Sequence, residues 1–162
     1  MSNVKDGLLL IGTFIIRKYK DKQHFLNDNF FEKSEFQNAV LTEGKAAVAN
    51  LLIGAAETAF NNANAYIGVG DDTTAFSAAH TGLQASTNKA YVGMESGYPQ
   101  YSAGAITFQA VFDGDTANFS WQEFTVASGN SDAAVNLNRA VSDQGTKVSG
   151  QIYTINLILT IS

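Results

Sequence analysis

Apolar residues recur at every second position along much of this chain, the period of a half-buried strand. In AITFQAVF, Ile106, Phe108, Ala110 and Phe112 share one face while Thr107 and Gln109 take the other. Two shorter segments, AYIGVG (65–70) and AYVGM (90–94), repeat one design. Ala65, Ile67 and Val69 form one face of the first, with Tyr66, Gly68 and Gly70 opposite. They read as related, neighbouring strands. The C-terminal stretch QIYTINLILTIS aligns Tyr153, Ile155, Leu157, Leu159 and Ile161 on one face, and Ile152, Thr154, Asn156, Ile158 and Thr160 on the other. Both faces are largely apolar, which suits a strand at the centre of a sandwich or one covered by another subunit.

The alternation slips once. In ANFSWQEFTVAS (117–128), Phe119 and Trp121 share a face, and Phe124 and Val126 then arrive one step out of phase. One extra residue in a period-two strand has this effect, so a β-bulge is expected near Gln122 and Glu123. Trp121 reads as core and Glu123 as exposed. DGDTAN (113–118) precedes it, and its Asp-Gly pair is a hairpin-turn signal.

Nearer the N-terminus, TFIIRKYK alternates into a solvated end, KDKQHF turns the chain and FFEKSEF returns, giving an N-terminal hairpin or arm. GLLLIGTFII (7–16) follows Lys5 and imitates the core of a secretory signal. It ends in Arg17, Lys18, Tyr19 and Lys20 without a small-residue cleavage site, and falls short of the roughly 20 residues that span a bilayer. It reads as a buried strand or a docking arm. One helix is expected, in TEGKAAVANLLIG: Thr42 as N-cap, Glu43 at the positive end, Val48, Leu51 and Leu52 as an inward stripe, Gly54 as the stop. Such a helix plugs one end of a β-structure. The polar connection DDTTAFSAAHTGLQASTNK (71–89) offers Phe76 as its apolar foothold.

A length of 162 residues fits one domain, and 45% hydrophobic residues supply its core. Frequent glycine, a single proline and many β-branched and aromatic residues complete an all-β reading. Charged residues make up only 15%, against roughly 25% in typical domains, which suggests that other chains cover part of the surface. A net charge of −5 argues against a phosphate-backbone binder, and the absence of cysteine excludes disulfides and thiolate chemistry.

The chemistry-bearing residues form no constellation. His24 and His80 lie in separate segments without metal-ligand spacing and read as surface residues. GVGDDT (68–73) lacks the third glycine, the lysine and the following helix of a phosphate loop, and reads as a strand entering a turn. Asp71, Asp72, Asp113 and Asp115 do not make a calcium-loop pattern, and no GxSxG elbow occurs. The sequon at Asn118 falls within an expected strand. No catalytic, cofactor-binding or metal residue is assigned, and an enzyme is not expected. Tyr91, Tyr98 and Tyr101, around GYPQY, suit either a carbohydrate platform or a packed loop or subunit boundary, and the boundary is favoured.

The order of several motifs resembles a family of small structural proteins of tailed-bacteriophage virions. They read NAVLTEGK (38–45), YIGVGDDTTAFSAAHTGLQ (66–84), ITFQAVFDGDTANFSWQEF (106–124), NLNRAV (136–141) and GTKVSGQIYTINLILTIS (145–162). The likeness covers most of the chain from Asn38 and, more loosely, the hairpin before it. It departs at Phe124, Thr125 and Val126, where the family pattern has Gly-Leu-Phe. The resemblance implies an antiparallel β-sandwich of jelly-roll character with one short helix. On this reading residues 1–41 are an arm or hairpin packed on the core and 42–162 the sandwich, together one structural unit. It further implies a capsid decoration (cement) protein, a homotrimer bridging major capsid subunits on the outside of a virion and assembled in the bacterial cytoplasm, with neither nucleic acid nor membrane as partner. A tail, baseplate or head-fibre attachment component and a carbohydrate-binding module are the alternatives. Leu8, Leu9, Leu10, Ile11, Phe14, Tyr98 and Tyr101 are the expected partner-binding residues.

Overall fold

A computed structural model describes residues 8–162. Ten strands and two helices follow one another as β1 (Leu10–Tyr19), α1 (Lys22–Leu26), β2 (Glu32–Gln37), β3 (Ala39–Val40), α2 (Thr42–Leu52), β4 (Tyr66–Gly70), β5 (Lys89–Gly93), β6 (Gln100–Ser102), β7 (Ala105–Phe112), β8 (Glu123–Ala127), β9 (Asn138–Val141) and β10 (Ile152–Ile161). They form two five-stranded antiparallel sheets, a front sheet in the order β2-β1-β10-β7-β6 and a back sheet in the order β3-β9-β8-β4-β5. The pairing is nested: β1 joins β10, β3 joins β9 and β4 joins β8. The first half of the chain is thus wrapped against the second, as in a jelly roll.

Alternation selects the core. Phe14 and Ile16 of β1, Phe108, Ala110 and Phe112 of β7, and Tyr153, Ile155 and Leu157 of β10 meet Ile67 and Val69 of β4 and Phe124 and Val126 of β8 between the sheets. The period-two segments expected from the sequence are strands, and β4 and β5 are antiparallel neighbours. Because β1 and β2 belong to the front sheet and β3 to the back sheet, residues 10–41 supply strands to both. The boundary drawn at residue 41 therefore falls inside the sandwich. Residues 1–7 of the expected arm lie outside the described residues.

The stretch 113–122 joins no hairpin. β7 belongs to the front sheet and β8 to the back sheet, so the Asp-Gly turn starts a crossover between layers. Trp121 fills the corner, edge-on to Phe112 and Tyr153 at centroid distances of 4.9 Å, and its indole N–H donates to the Ala117 carbonyl at 2.9 Å. The phase slip sits where β8 begins. Glu123 is the register partner of Gly70, and the Gln122 N–H also donates to the Gly70 carbonyl at 2.8 Å, so two residues answer to one. Trp121 and Phe124 both reach the core as a result, and Glu123 is turned to the outer side of the back sheet.

Two helices are present rather than one. α1 closes the β1–β2 hairpin, where the Asp21 carboxylate accepts from the His24 N–H at 2.9 Å. α2 departs from its expected packing. Its N-cap is Leu41, with no side-chain cap bond, and it buries Gly44 and Ala47 rather than Val48, Leu51 and Leu52. A Cβ on Gly44 would stand 2.1 Å from the Leu137 carbonyl oxygen. The helix therefore docks through its smallest residues, and the rotation that allows this turns the leucines outward.

Candidate interaction surface

That rotation builds a groove. The residues of α2 that miss the core, Val48, Ala49 and Leu52, face Leu8, Leu9 and Leu10 at the start of β1 and Phe76 and Ala78 of the 71–88 loop. The space between them is about 730 Å³ and open along one side, and among the described residues Lys45 is its one charged lining residue. Past its lip, Leu52 is 82% exposed and Ile53 77% exposed. Gly54, with φ +71°, then reverses the chain and the Ala55 N–H returns to the Asn50 carbonyl at 2.8 Å. The Glu57 carboxylate accepts from Asn50 Nδ2 at 3.2 Å, which holds it beside the C-terminal turn of the helix.

A second apolar patch lies at the other end of β1. Leu26, Phe30 and Phe31 are exposed there. Phe30 stands edge-on to Tyr19 at 6.3 Å, with the Arg17 guanidinium 5.8 Å above its ring. Tyr19 donates to Asp28 at 2.7 Å, which fixes the loop that presents these rings.

The expected partner-binding residues separate. Leu8, Leu9 and Leu10 line the groove, whereas Ile11 is exposed on the other face of β1. Phe14 is fully buried, stacked on Phe36 and tilted against Phe124, because its side of β1 faces the core. It is not available to a partner. Tyr98 is half-buried in a loop held by Asn62, whose Nδ2 donates to the Tyr98 and Glu95 carbonyls at 2.7 and 2.9 Å. Tyr101 is 70% exposed on edge strand β6. Tyr91 sits in the other sheet, lying over Gly68 with its hydroxyl donating to Asp132. The three tyrosines therefore belong to different layers and do not present one sugar platform.

The loop that supplies Phe76 and Ala78 is fastened by two charges, one of which, Glu123, the sequence pattern places at the surface. Glu123 and Arg139 are buried on the outer side of the back sheet, with the Arg139 Nε donating to Glu123 Oε2 at 2.8 Å and Nη2 in ion-pair contact with the same oxygen at 2.8 Å. Glu123 also accepts the N–H groups of Gln84 and Ala85 at 2.9 and 2.8 Å, and Arg139 Nη1 donates to the Thr74 carbonyl at 2.9 Å. The pair thus staples both halves of the 71–88 loop to the sheet, and Leu83 and Ala85 add buried apolar anchors. Asp72 completes the cluster 3.7 Å from Arg139, its carboxyl held below the usual range by the Thr74 hydroxyl, by the Thr74 N–H and, more weakly, by that guanidinium. His80 stands 3.4 Å from Arg139 Nη1. Glu123 and Arg139 are the charges that close the motifs ANFSWQE and LNR, so the pairing was encoded but not readable without the fold. Among the described residues no group of three or more His, Cys, Asp or Glu is placed to hold a metal ion, and no helix is long and apolar enough to cross a membrane. Comparison with protein-family models, with curated proteins and with solved structures finds no match.

Proposed function

We propose that this protein is a bridging structural component of a tailed-phage virion, a decoration protein that ties neighbouring capsid subunits together. One observation carries the reading. Two separate apolar patches, the α2 groove with Leu8 and Leu9 and the Leu26, Phe30 and Phe31 cluster, lie at opposite ends of β1. The ten residues of that strand hold them roughly 30 Å apart. A binder of one ligand needs one such surface, whereas a cross-link needs two on a rigid body. β1 supplies the rigidity, hydrogen-bonded on both sides within the front sheet.

The energetics suit a cement. Each large apolar side chain taken out of water contributes about 1.5–3 kcal/mol before association is charged for, so each patch alone binds modestly. Engaged together, the two ends raise each other's effective concentration and hold a joint that either would release. The motif resemblance supplies the particle, and the scarcity of surface charge accords with a chain that is covered when assembled.

Quantitative mass spectrometry of purified virions of the encoding phage tests the assignment. A copy number comparable to that of the major capsid protein is expected. A handful of copies would move the protein to the tail or a fibre, and its absence from particles would end the virion reading.

A further inference from the structure

We infer that the α2 groove is a self-docking site, in which α2 packs antiparallel against α2 of a second copy across a twofold axis near Ala49. This deepens the bridging role and rests on it only in taking the groove as a protein-docking surface: the groove joins two copies, and the Leu26, Phe30 and Phe31 patch at the far end of each copy is left to meet a capsid subunit. The first ground is shape. An isologous contact needs one patch that carries both a projection and a recess, since each copy must offer what the other receives. Leu52 and Ile53 project past the lip of the groove lined by Val48, Ala49 and Leu10. A twofold at Ala49 brings the Leu52 and Ile53 of each copy over the groove of the other.

The second ground is charge. Lys45 sits in the first turn of α2, the positive end of the helix dipole, where a cation is disfavoured. The last turn has no basic residue, and Glu57 lies beside it through Asn50, adding negative charge to the negative end. Neither Lys45 nor Glu57 makes an ion pair among the described residues. Antiparallel pairing about Ala49 removes both mismatches together. Lys45, four residues before the axis, meets Ile53, four residues after it on the partner helix, and so reaches the partner's helix C-terminus and its Glu57. Among the described residues no other charge lines the groove to oppose the contact.

Light scattering of the full chain after size exclusion provides the test. A species of twice the 17.3 kDa chain mass is expected at micromolar concentration. Leu52→Asp returns it to monomer that still unfolds in one cooperative thermal transition, now independent of protein concentration, because the side chain is exposed in the single chain. Lys45→Glu and Glu57→Lys each weaken dimerisation roughly tenfold, and the Lys45→Glu/Glu57→Lys exchange restores it. A monomer or a trimer in the wild type, or an exchange variant as weak as either single change, overturns the pairing. A wild-type monomer that still decorates particles would overturn the pairing and leave the bridging role standing. A dimer missing from particles would support the pairing and remove the virion role.

Discussion

Replacing Arg139 by Met keeps length and apolar bulk while removing the charge that answers Glu123. Both side chains are fully buried, and the guanidinium approaches the carboxylate through two nitrogens at 2.8 Å. Loss of one member of a buried ion pair typically costs 3–5 kcal/mol, because the remaining charge stays desolvated without its partner. Glu123 keeps the Gln84 and Ala85 N–H donors, which places the expected loss near the low end, at about 3 kcal/mol. Domain stabilities are about 5–15 kcal/mol, so this is a large share of the whole. In urea, with a slope of about 2 kcal/mol per M, the midpoint falls by roughly 1.5 M. Adding Glu123→Gln removes the stranded charge, and the double variant is expected to lie within about 2 kcal/mol of wild type. A loss below about 1 kcal/mol for Arg139→Met, or a double variant worse than the single, would refute the claim that this pair fastens the loop.

Three further changes probe other parts of the fold. Ala117 adopts φ +57° to pass its carbonyl to the Trp121 indole, so Ala117→Gly relieves a left-handed residue and is expected to raise stability by about 1 kcal/mol in urea unfolding. Asn38, beside the groove, buries both ends of its carboxamide without a hydrogen-bond partner among the described residues, and Asn38→Leu, close in shape, is expected to gain about 1–2 kcal/mol by thermal or chemical unfolding. Stability is also expected to change with pH at both extremes. The carboxyls of Asp72 and of Asp113, the latter held by the Thr116 hydroxyl and the Asp115 N–H, sit below their ordinary value of 3.8, so their contribution is present above it and lost as pH falls through the folded values. Burial, with Glu32 nearby, pushes the Tyr153 phenol from 10.0 up to about 12, so its contribution persists below pH 10 and is lost between the two values. Urea midpoints across the pH range check both arms, and a flat acid arm would contradict the assignment to the aspartates.

The strands were legible because period two is written into them, most plainly in β7, where Thr107 and Gln109 alternate with Ile106, Phe108 and Ala110, and in β4 and β10 through the regular spacing of the large inward aliphatics. The bulge was legible for the same reason, as a break in that period. Its consequence was not. Glu123 reads as a solvated residue until the 71–88 loop folds over it and Arg139 arrives from β9, sixteen residues on. The Asp-Gly turn misled because turn chemistry is local, whereas the choice between hairpin and crossover depends on which sheet receives the next strand. α2 misled in a more useful way. A stripe of Val48, Leu51 and Leu52 reads as a buried face, yet the helix docks through Gly44 and Ala47, because at Gly44 the Leu137 carbonyl leaves no room for a side chain. The apolar residues thereby left outside are those from which the groove is built.

The central claim is that this sandwich works by joining protein surfaces, and co-sedimentation with phage heads assembled without it tests that most directly. Purified wild-type protein is predicted to saturate the heads at a fixed ratio to the capsid subunit. Phe31→Asp, at the patch remote from the groove, is predicted to abolish binding without altering the fold. Heads that take up no wild-type protein, or that take up Phe31→Asp equally well together with a variant of the groove, would contradict the account.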